Sequence, residues 1–203
     1  MNKSIRFLGA ILILSAAFLG CKSKSESTGD DYLGAGDPAN ALVQYEDALQ
    51  KGKVSSDFYS KFTDAYIALL QTSGSFDPSA ETLDQLKDSL ISLLKQHPDA
   101  AKEATASSVL ADIGQKRLNM GGAQVEEGGF QFLNAAAALP GKSPDIEGKM
   151  EEAKKTYQVS KLKEISDKLD EAASDGSAGI AADYEMNQLA MILGSETPEM
   201  KAL

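Results

Sequence analysis

The chain has few side chains of the kinds that perform catalysis or bind metals. Among 203 residues there is one cysteine, Cys21, and one histidine, His97. Zinc sites and Cys-His pairs need more histidines or a free thiol, and no G-x-S-x-G motif offers a nucleophilic serine. His97 precedes Pro98 at a predicted helix end, where a cation interacts favourably with the helix dipole. The sequence therefore predicts no metal, no cofactor and no catalytic residue, and we do not expect an enzyme.

Carboxylates are abundant, but they do not form a recognisable site. Neighbouring residues on a helix point about 100° apart, so adjacent acidic residues do not form a catalytic dyad by themselves. A glycosidase would need two carboxyl groups about 5 to 9 Å apart across a cleft. A carboxylate-dependent cell-wall enzyme is therefore an alternative, but no sequence motif supports it. The adjacent pairs are Glu46-Asp47, Glu126-Glu127 and Glu151-Glu152.

The position of Cys21 gives the clearest functional signal. Lys3 and Arg6 form a basic start, and residues 7–20, FLGAILILSAAFLG, are apolar or small throughout. This run is shorter than the roughly 20 apolar residues of a membrane-spanning helix. A basic start, a short apolar core and small residues at its end are typical of a secretory signal peptide. An uncleaved signal anchor is the alternative.

Residues 16–21, AAFLGC, resemble the lipobox of bacterial lipoproteins. In that family the small residue before the cysteine marks the cleavage site, and the thiol is joined to diacylglycerol. Gly20 and Cys21 match, whereas Phe18 stands where Leu is usual. The resemblance implies a signal peptide over residues 1–20 and a lipid anchor on Cys21. Lys22 in place of Asp after the cysteine implies the outer membrane, with the protein facing the periplasm.

The charge of the chain limits its partners. The formal net charge is −10, whereas proteins that bind nucleic acids are normally basic, because phosphate contacts supply most of their affinity. We therefore expect no nucleic-acid partner. An acidic surface also gains nothing from anionic lipid headgroups, so the membrane contact is expected through the lipid on Cys21.

The rest of the chain is predicted to be all-α, with antiparallel helical hairpins. Residues 21–36 comprise the lipidated cysteine and a polar, aperiodic stretch that predicts a flexible tether. Residues 37–203 form a single all-helical domain, in which apolar residues recur at helical spacing. Its predicted helices are Pro38–Lys51, Ser56–Thr72, Pro78–His97, Asp99–Asn119, Ala123–Leu139, Asp145–Ala173 and Ala178–Leu193.

Two of these helices resemble parts of tetratricopeptide repeats. Residues 41–48 have the pattern A-x3-Y-x2-A, similar to the second-helix pattern A-x3-F-x2-A. Eleven residues later, residues 59–66 have Y-x2-F-T-x2-Y, similar to the next first-helix pattern W-x2-L-G-x2-Y. This step is the one that a 34-residue period requires. The period is not kept further along the chain, so the prediction is a tetratricopeptide-like solenoid or an irregular helical bundle.

The resemblances together imply an interaction protein. A lipoprotein with tetratricopeptide-like hairpins would serve as an adaptor that docks a peptide or helix of another envelope protein. A surface-displayed or structural lipoprotein without a docking role is the alternative. Aromatic residues are the candidates for partner contacts or for the core: Tyr45, Tyr59, Phe62, Tyr66, Phe130 and Phe132.

Overall fold

The computed structural model describes residues 22–52, 54–172, 184–187 and 190–191. The regular elements in these ranges are helices, which confirms the predicted all-α class. Cys21, the predicted signal peptide and most of the helix predicted over Ala178–Leu193 lie outside the described residues. The helices are α1 (Lys24–Gly34), α2 (Pro38–Gln50), α3 (Phe58–Phe76), α4 (Thr82–Gln96), α5 (Ala100–Met120), α6 (Ala123–Ala138) and α7 (Ile146–Ala172).

Aspartates cap the N-termini of two helices that the sequence predicts. The side chain of Asp37 accepts a hydrogen bond from the backbone N–H of Asn40 at 3.1 Å. Asp99 accepts from the backbone N–H groups of Ala101 and Lys102 at 3.0 and 3.2 Å. Such caps satisfy donors that have no partner inside the first turn of a helix. They fix the starting points of α2 and α5.

The helix predicted over Ser56–Thr72 ends later than predicted, because it continues past Ser73 and Gly74 to Phe76. A Cβ atom on Gly74 would lie 2.6 Å from Cγ1 of Ile113. The glycine therefore lets α5 approach α3 closely and does not end the helix. The following turn contains Pro78, and α4 begins at Thr82, later than predicted.

The prediction of a flexible tether over residues 21–36 is also wrong, because Lys24–Gly34 forms α1. The hydroxyl of Ser23 caps this helix by accepting from the backbone N–H of Glu26 at 3.1 Å. Glu26 and Gly29 are buried against the rest of the domain. A polar, aperiodic sequence gives no sign of this packing, since the buried face of α1 consists of serine, glutamate and glycine.

The helices form antiparallel hairpins, and the odd-numbered helices run parallel to one another. Between α1 and α2, Ser25 hydrogen-bonds Asp47, so the start of one helix meets the end of the other. Between α3 and α5, Lys102 pairs with Asp64 at 2.5 Å near the start of both helices. We call the end where odd helices begin and even helices finish the basal end, and the opposite end the apical end.

Close packing between α5 and α6 depends on small residues. A Cβ atom on Gly114 would lie 2.7 Å from the carbonyl oxygen of Gly129. About two turns earlier in α5, the hydroxyl of Ser107 donates to the backbone oxygen of Ala136 at 3.0 Å. Glycine on both helices at the first contact, Gly114 and Gly129, lets the backbones of this hairpin touch, which gives Gly129 a packing role in the interior of α6.

Candidate functional site

Five of the six candidate aromatic residues lie in the core. Their rings pack edge to face or tilted against neighbouring helices, with Tyr45 and Phe62 at 5.9 Å between ring centroids. Such packing stabilises the contacts between hairpins. A partner that approaches the folded domain does not reach these rings. The buried residues are Tyr45, Phe62, Tyr66, Phe130 and Phe132.

The sixth aromatic residue, Tyr59, is half-buried and stacks on His97. The two ring centroids are 3.4 Å apart and the ring planes differ by 12°. Burial lowers the pKa of His97. The neutral imidazole therefore serves as a flat packing surface at the end of α4, next to the start of α3.

The residues around the start of α1 form a polar junction that links three helices. Glu26 is fully buried and accepts a hydrogen bond from the backbone N–H of Ser55 at 3.0 Å, as well as one from its hydroxyl. Asp30 lies one turn further along α1 and pairs with Lys61 of α3 at 3.1 Å. It also accepts a hydrogen bond from the hydroxyl of Tyr45 in α2 at 2.6 Å. These contacts attach α1 to both α2 and α3.

The burial of Asp30 and the groups that contact it determine its pKa. Burial raises the pKa of Asp30, but hydrogen bonds from Lys22, Tyr45 and Lys61 outweigh it and lower the pKa below the ordinary value. Burial and the same contact with Asp30 raise the pKa of Tyr45, so its hydroxyl remains a donor. The carboxylate is therefore charged and well satisfied at neutral pH.

One contact in the junction resembles a catalytic Ser-Lys pair, because Nζ of Lys51 lies 3.2 Å from the hydroxyl of Ser25. A lysine that activates a serine must be neutral to take its proton. Lys51 instead pairs with Asp47 at 2.5 Å and is largely exposed. The contacts of Lys51 with Asp47 and Ser25 therefore hold α1 on α2.

Two signals in the sequence point to α1. Ser23-x-x-Glu26 has the spacing of a capping box, a pattern typical of helix starts. Gly29-x2-Tyr32 also lies 34 residues before residues 63–66, T-x2-Y. It therefore occupies the G-x2-Y positions of the first-helix pattern, one period upstream.

A buried arginine joins the second and third hairpins. The side chain of Arg117 in α5 is 4% exposed and binds Asp84 of α4 with two hydrogen bonds, at 3.1 and 3.0 Å. It also donates to the backbone oxygens of Pro78 and Ala80, at 2.6 and 3.2 Å. Its guanidinium carbon lies 4.6 Å from the ring centroid of Phe132. Arg117 thus fixes the turn between α3 and α4.

A second buried ion pair joins α6 to α7. Lys161 lies 3.0 Å from the buried carboxylate of Glu126, and Tyr157 lies beside them. Burial and the nearby Glu126 raise the pKa of Tyr157 to about 12. The ion pair with Lys161 compensates for the burial of the Glu126 carboxylate, although Oε2 of Glu126 accepts no hydrogen bond of good geometry.

An open groove of about 320 Å³ lies between α5 and α7 in the described part of the chain. Its floor is formed by the buried Ala111, Leu133 and Ala153. Its rim carries charged groups, including Asp112 and Glu152. The groove is therefore apolar below and acidic above. It is lined by Ala111, Asp112, Gln115, Leu133, Lys149, Glu152, Ala153 and Thr156.

The described part of the chain contains no group of three or more His, Cys, Asp or Glu residues that could hold a metal ion. None of its helices is long and apolar enough to cross a membrane. In the comparisons with known proteins, no family model matches the chain, and neither a curated protein nor a solved structure shows significant similarity to it.

Proposed function

We propose that this chain is a bacterial lipoprotein, held in the outer membrane by acyl chains on Cys21, whose helical hairpins form a protein-interaction module. The anchor rests on the sequence around Cys21, where a basic start and a short apolar run precede AAFLGC. The module rests on one observation, the stacking of successive hairpins with parallel odd helices. Proteins built in this way expose grooves between neighbouring hairpins to their partners.

The start of the chain supports a repeat arrangement. The hairpin of α1 and α2 precedes α3, which begins 34 residues after α1. The matching positions Gly29 and Thr63 are both buried, and Gly29 lies against Tyr45 as small first-helix residues do in tightly packed hairpins. The intervals become longer further along the chain, so the proposed repeats are degenerate.

We assign the groove between α5 and α7 to the partner. Lys149 pairs with Asp145 at 3.0 Å, so Asp112 and Glu152 make the rim acidic. An extended or helical segment with basic side chains and a small apolar contact would fit such a groove. The partner would be another envelope protein, and no chemical step is involved.

Site-specific photo-crosslinking in cells tests the groove. A crosslinker at Gln115 or Thr156 would face the partner, whereas one at the exposed Gln131 on α6 provides a matched control away from the groove. We expect both groove positions to capture the same envelope protein, and Glu152→Lys to weaken that capture severalfold. Equal capture from Gln131, or no capture from any position, would overturn the docking role and favour a surface-displayed or structural lipoprotein.

Substitution of the cysteine tests the anchor. We expect Cys21→Ala to abolish incorporation of labelled palmitate and to move the protein from the membrane to the soluble fraction. The far-ultraviolet circular dichroism of the domain should stay unchanged, because the described helices begin after this residue. A Cys21→Ala protein that remains in the membrane fraction would contradict the proposed lipid anchor.

A further inference from the structure

We propose that the basal end of the domain lies directly against the lipid headgroups of the membrane that holds Cys21, so that the docking groove serves a partner at the membrane surface. This inference rests on the proposed lipid anchor. The first observation behind it is the short connection to the domain. Lys22 alone separates Cys21 from Ser23, which caps α1, and two Cα–Cα steps span at most about 7 Å.

The second observation is that α1 is attached firmly to the domain. Glu26 is fully buried and bound to Ser55, and a Cβ atom on Gly29 would lie 2.7 Å from the ring of Tyr45. The next turn is held by Asp30, which pairs with Lys61 of α3. Helix α1 is therefore part of the rigid domain from its first turn.

A docked α1 holds the domain much closer to the lipid anchor than an extended tether would. If residues 22–36 were an extended tether, they could lift the domain by about 50 Å, at 3.3 to 3.6 Å per residue. With α1 docked, the anchor point stays within about 7 Å of the basal end. An acyl chain on Cys21 thus places this end, and not the apical end, at the membrane.

The charges of the two ends agree with this orientation. Among the described residues of the basal end, Lys22, Lys51 and Lys142 lie in the loops and Lys24 begins α1, against three aspartates of the loops. Three of these lysines are already paired, with Asp30, Asp47 and Glu147 of the helices, so the basal end is close to neutral. The apical loops, residues 33–38, 75–82 and 119–122, contain three carboxylates and no lysine or arginine. Anionic headgroups therefore repel the apical end, whereas the basal end can approach them.

The orientation defines the kind of partner that can use the groove. In α5 the groove begins at Ala111, eleven residues after the basal start of the helix, or roughly 17 Å at 1.5 Å per residue. In α7 it begins at Lys149, three residues after the start of that helix. Its occupant is thus a segment of a membrane-bound or membrane-embedded protein that runs close to the bilayer.

Fluorescence quenching by labelled lipids measures this orientation. Ser56 and Ser75 are exposed and lie at opposite ends of α3, whose 19 residues span roughly 28 Å. Each is changed to cysteine separately and labelled in the lipidated, full-length mature protein. The only other cysteine, Cys21, is blocked by its lipid. The proteins are placed in phosphatidylethanolamine–phosphatidylglycerol vesicles whose headgroups carry a nitroxide quencher.

We expect the label at residue 56 to be quenched severalfold more than the label at residue 75. A twelve-residue Gly-Ser insertion between Lys22 and Ser23 should remove most of this difference, because a flexible chain of that length spans about 20 Å on average. Equal quenching at both positions without the insertion, or stronger quenching at residue 75, would overturn the proposed orientation. If the protein does not sediment with the vesicles, the lipid anchor itself fails, so the two failures are distinguishable.

Discussion

Gly29 of α1 lies so close to the ring of Tyr45 in α2 that a Cβ atom on residue 29 would be 2.7 Å from Cε1. The ring cannot move away easily, because its hydroxyl donates to Asp30 at 2.6 Å. The contact lies at the centre of the first hairpin. It connects the helix that follows the anchor with the aromatic core of the domain.

We predict that Gly29→Ala destabilises the domain by about 1–3 kcal/mol, as overpacking does at a tight contact. Urea denaturation followed by circular dichroism measures this. Gly34→Ala is the matched control, since it is in the same helix and a Cβ atom there would have no neighbour within 4 Å. It should leave stability unchanged or raise it slightly. Equal stability of the two variants would show that α1 does not pack on Tyr45 as described.

A second prediction concerns Glu26, which accepts the backbone N–H and the hydroxyl of Ser55. Glu26→Ala leaves that buried N–H without a partner, which costs about 1–3 kcal/mol. Glu26→Gln keeps a carbonyl acceptor and should retain most of the stability. Hydrogen exchange should show loss of protection in residues 24–34 for the alanine variant alone. Unchanged protection of α1 in Glu26→Ala would contradict the role of this junction.

A third prediction uses the pH dependence of Asp30. The pKa of Asp30 is lowered in the folded state, so its contribution to stability is present above the unfolded value of 3.8 and is lost as the pH falls through the lower folded value. Tyr45→Phe removes one hydrogen bond to the charged carboxylate and should cost about 1–2 kcal/mol at pH 7. The difference in unfolding free energy between the two proteins should shrink below pH 4. A difference that stays constant from pH 7 to pH 3 would argue against this coupling.

The fourth prediction tests Arg117, which binds Asp84 and two backbone carbonyls at once. A lysine cannot reproduce this fork of donors, so Arg117→Lys should destabilise by about 2 kcal/mol. Lys116→Arg, at the exposed neighbouring position, is the control and should have little effect. Wild-type stability of Arg117→Lys in urea would show that the charge suffices and the geometry does not matter.

The all-α class and most helix boundaries could be predicted from the sequence alone. Helical periodicity in α4 predicts the buried Leu83, Leu86, Leu90 and Leu94, because one apolar face of a surface helix has to pack on the core. Asp37 and Asp99 mark helix starts through local hydrogen bonds, which depend only on nearby residues. The identity of Cys21 as a predicted lipid anchor also depends on a local pattern.

Contacts between residues that are distant in sequence decided the features that local patterns do not predict. Helix α1 forms although its buried face is polar, because Glu26 finds the donors of Ser55, which lies 29 residues away. Gly74 continues α3 instead of ending it, because Ile113 of α5 fills the space beside it. In both cases the deciding partner is distant in sequence, and its packing or hydrogen bonding outweighs the weak local preference of the residue.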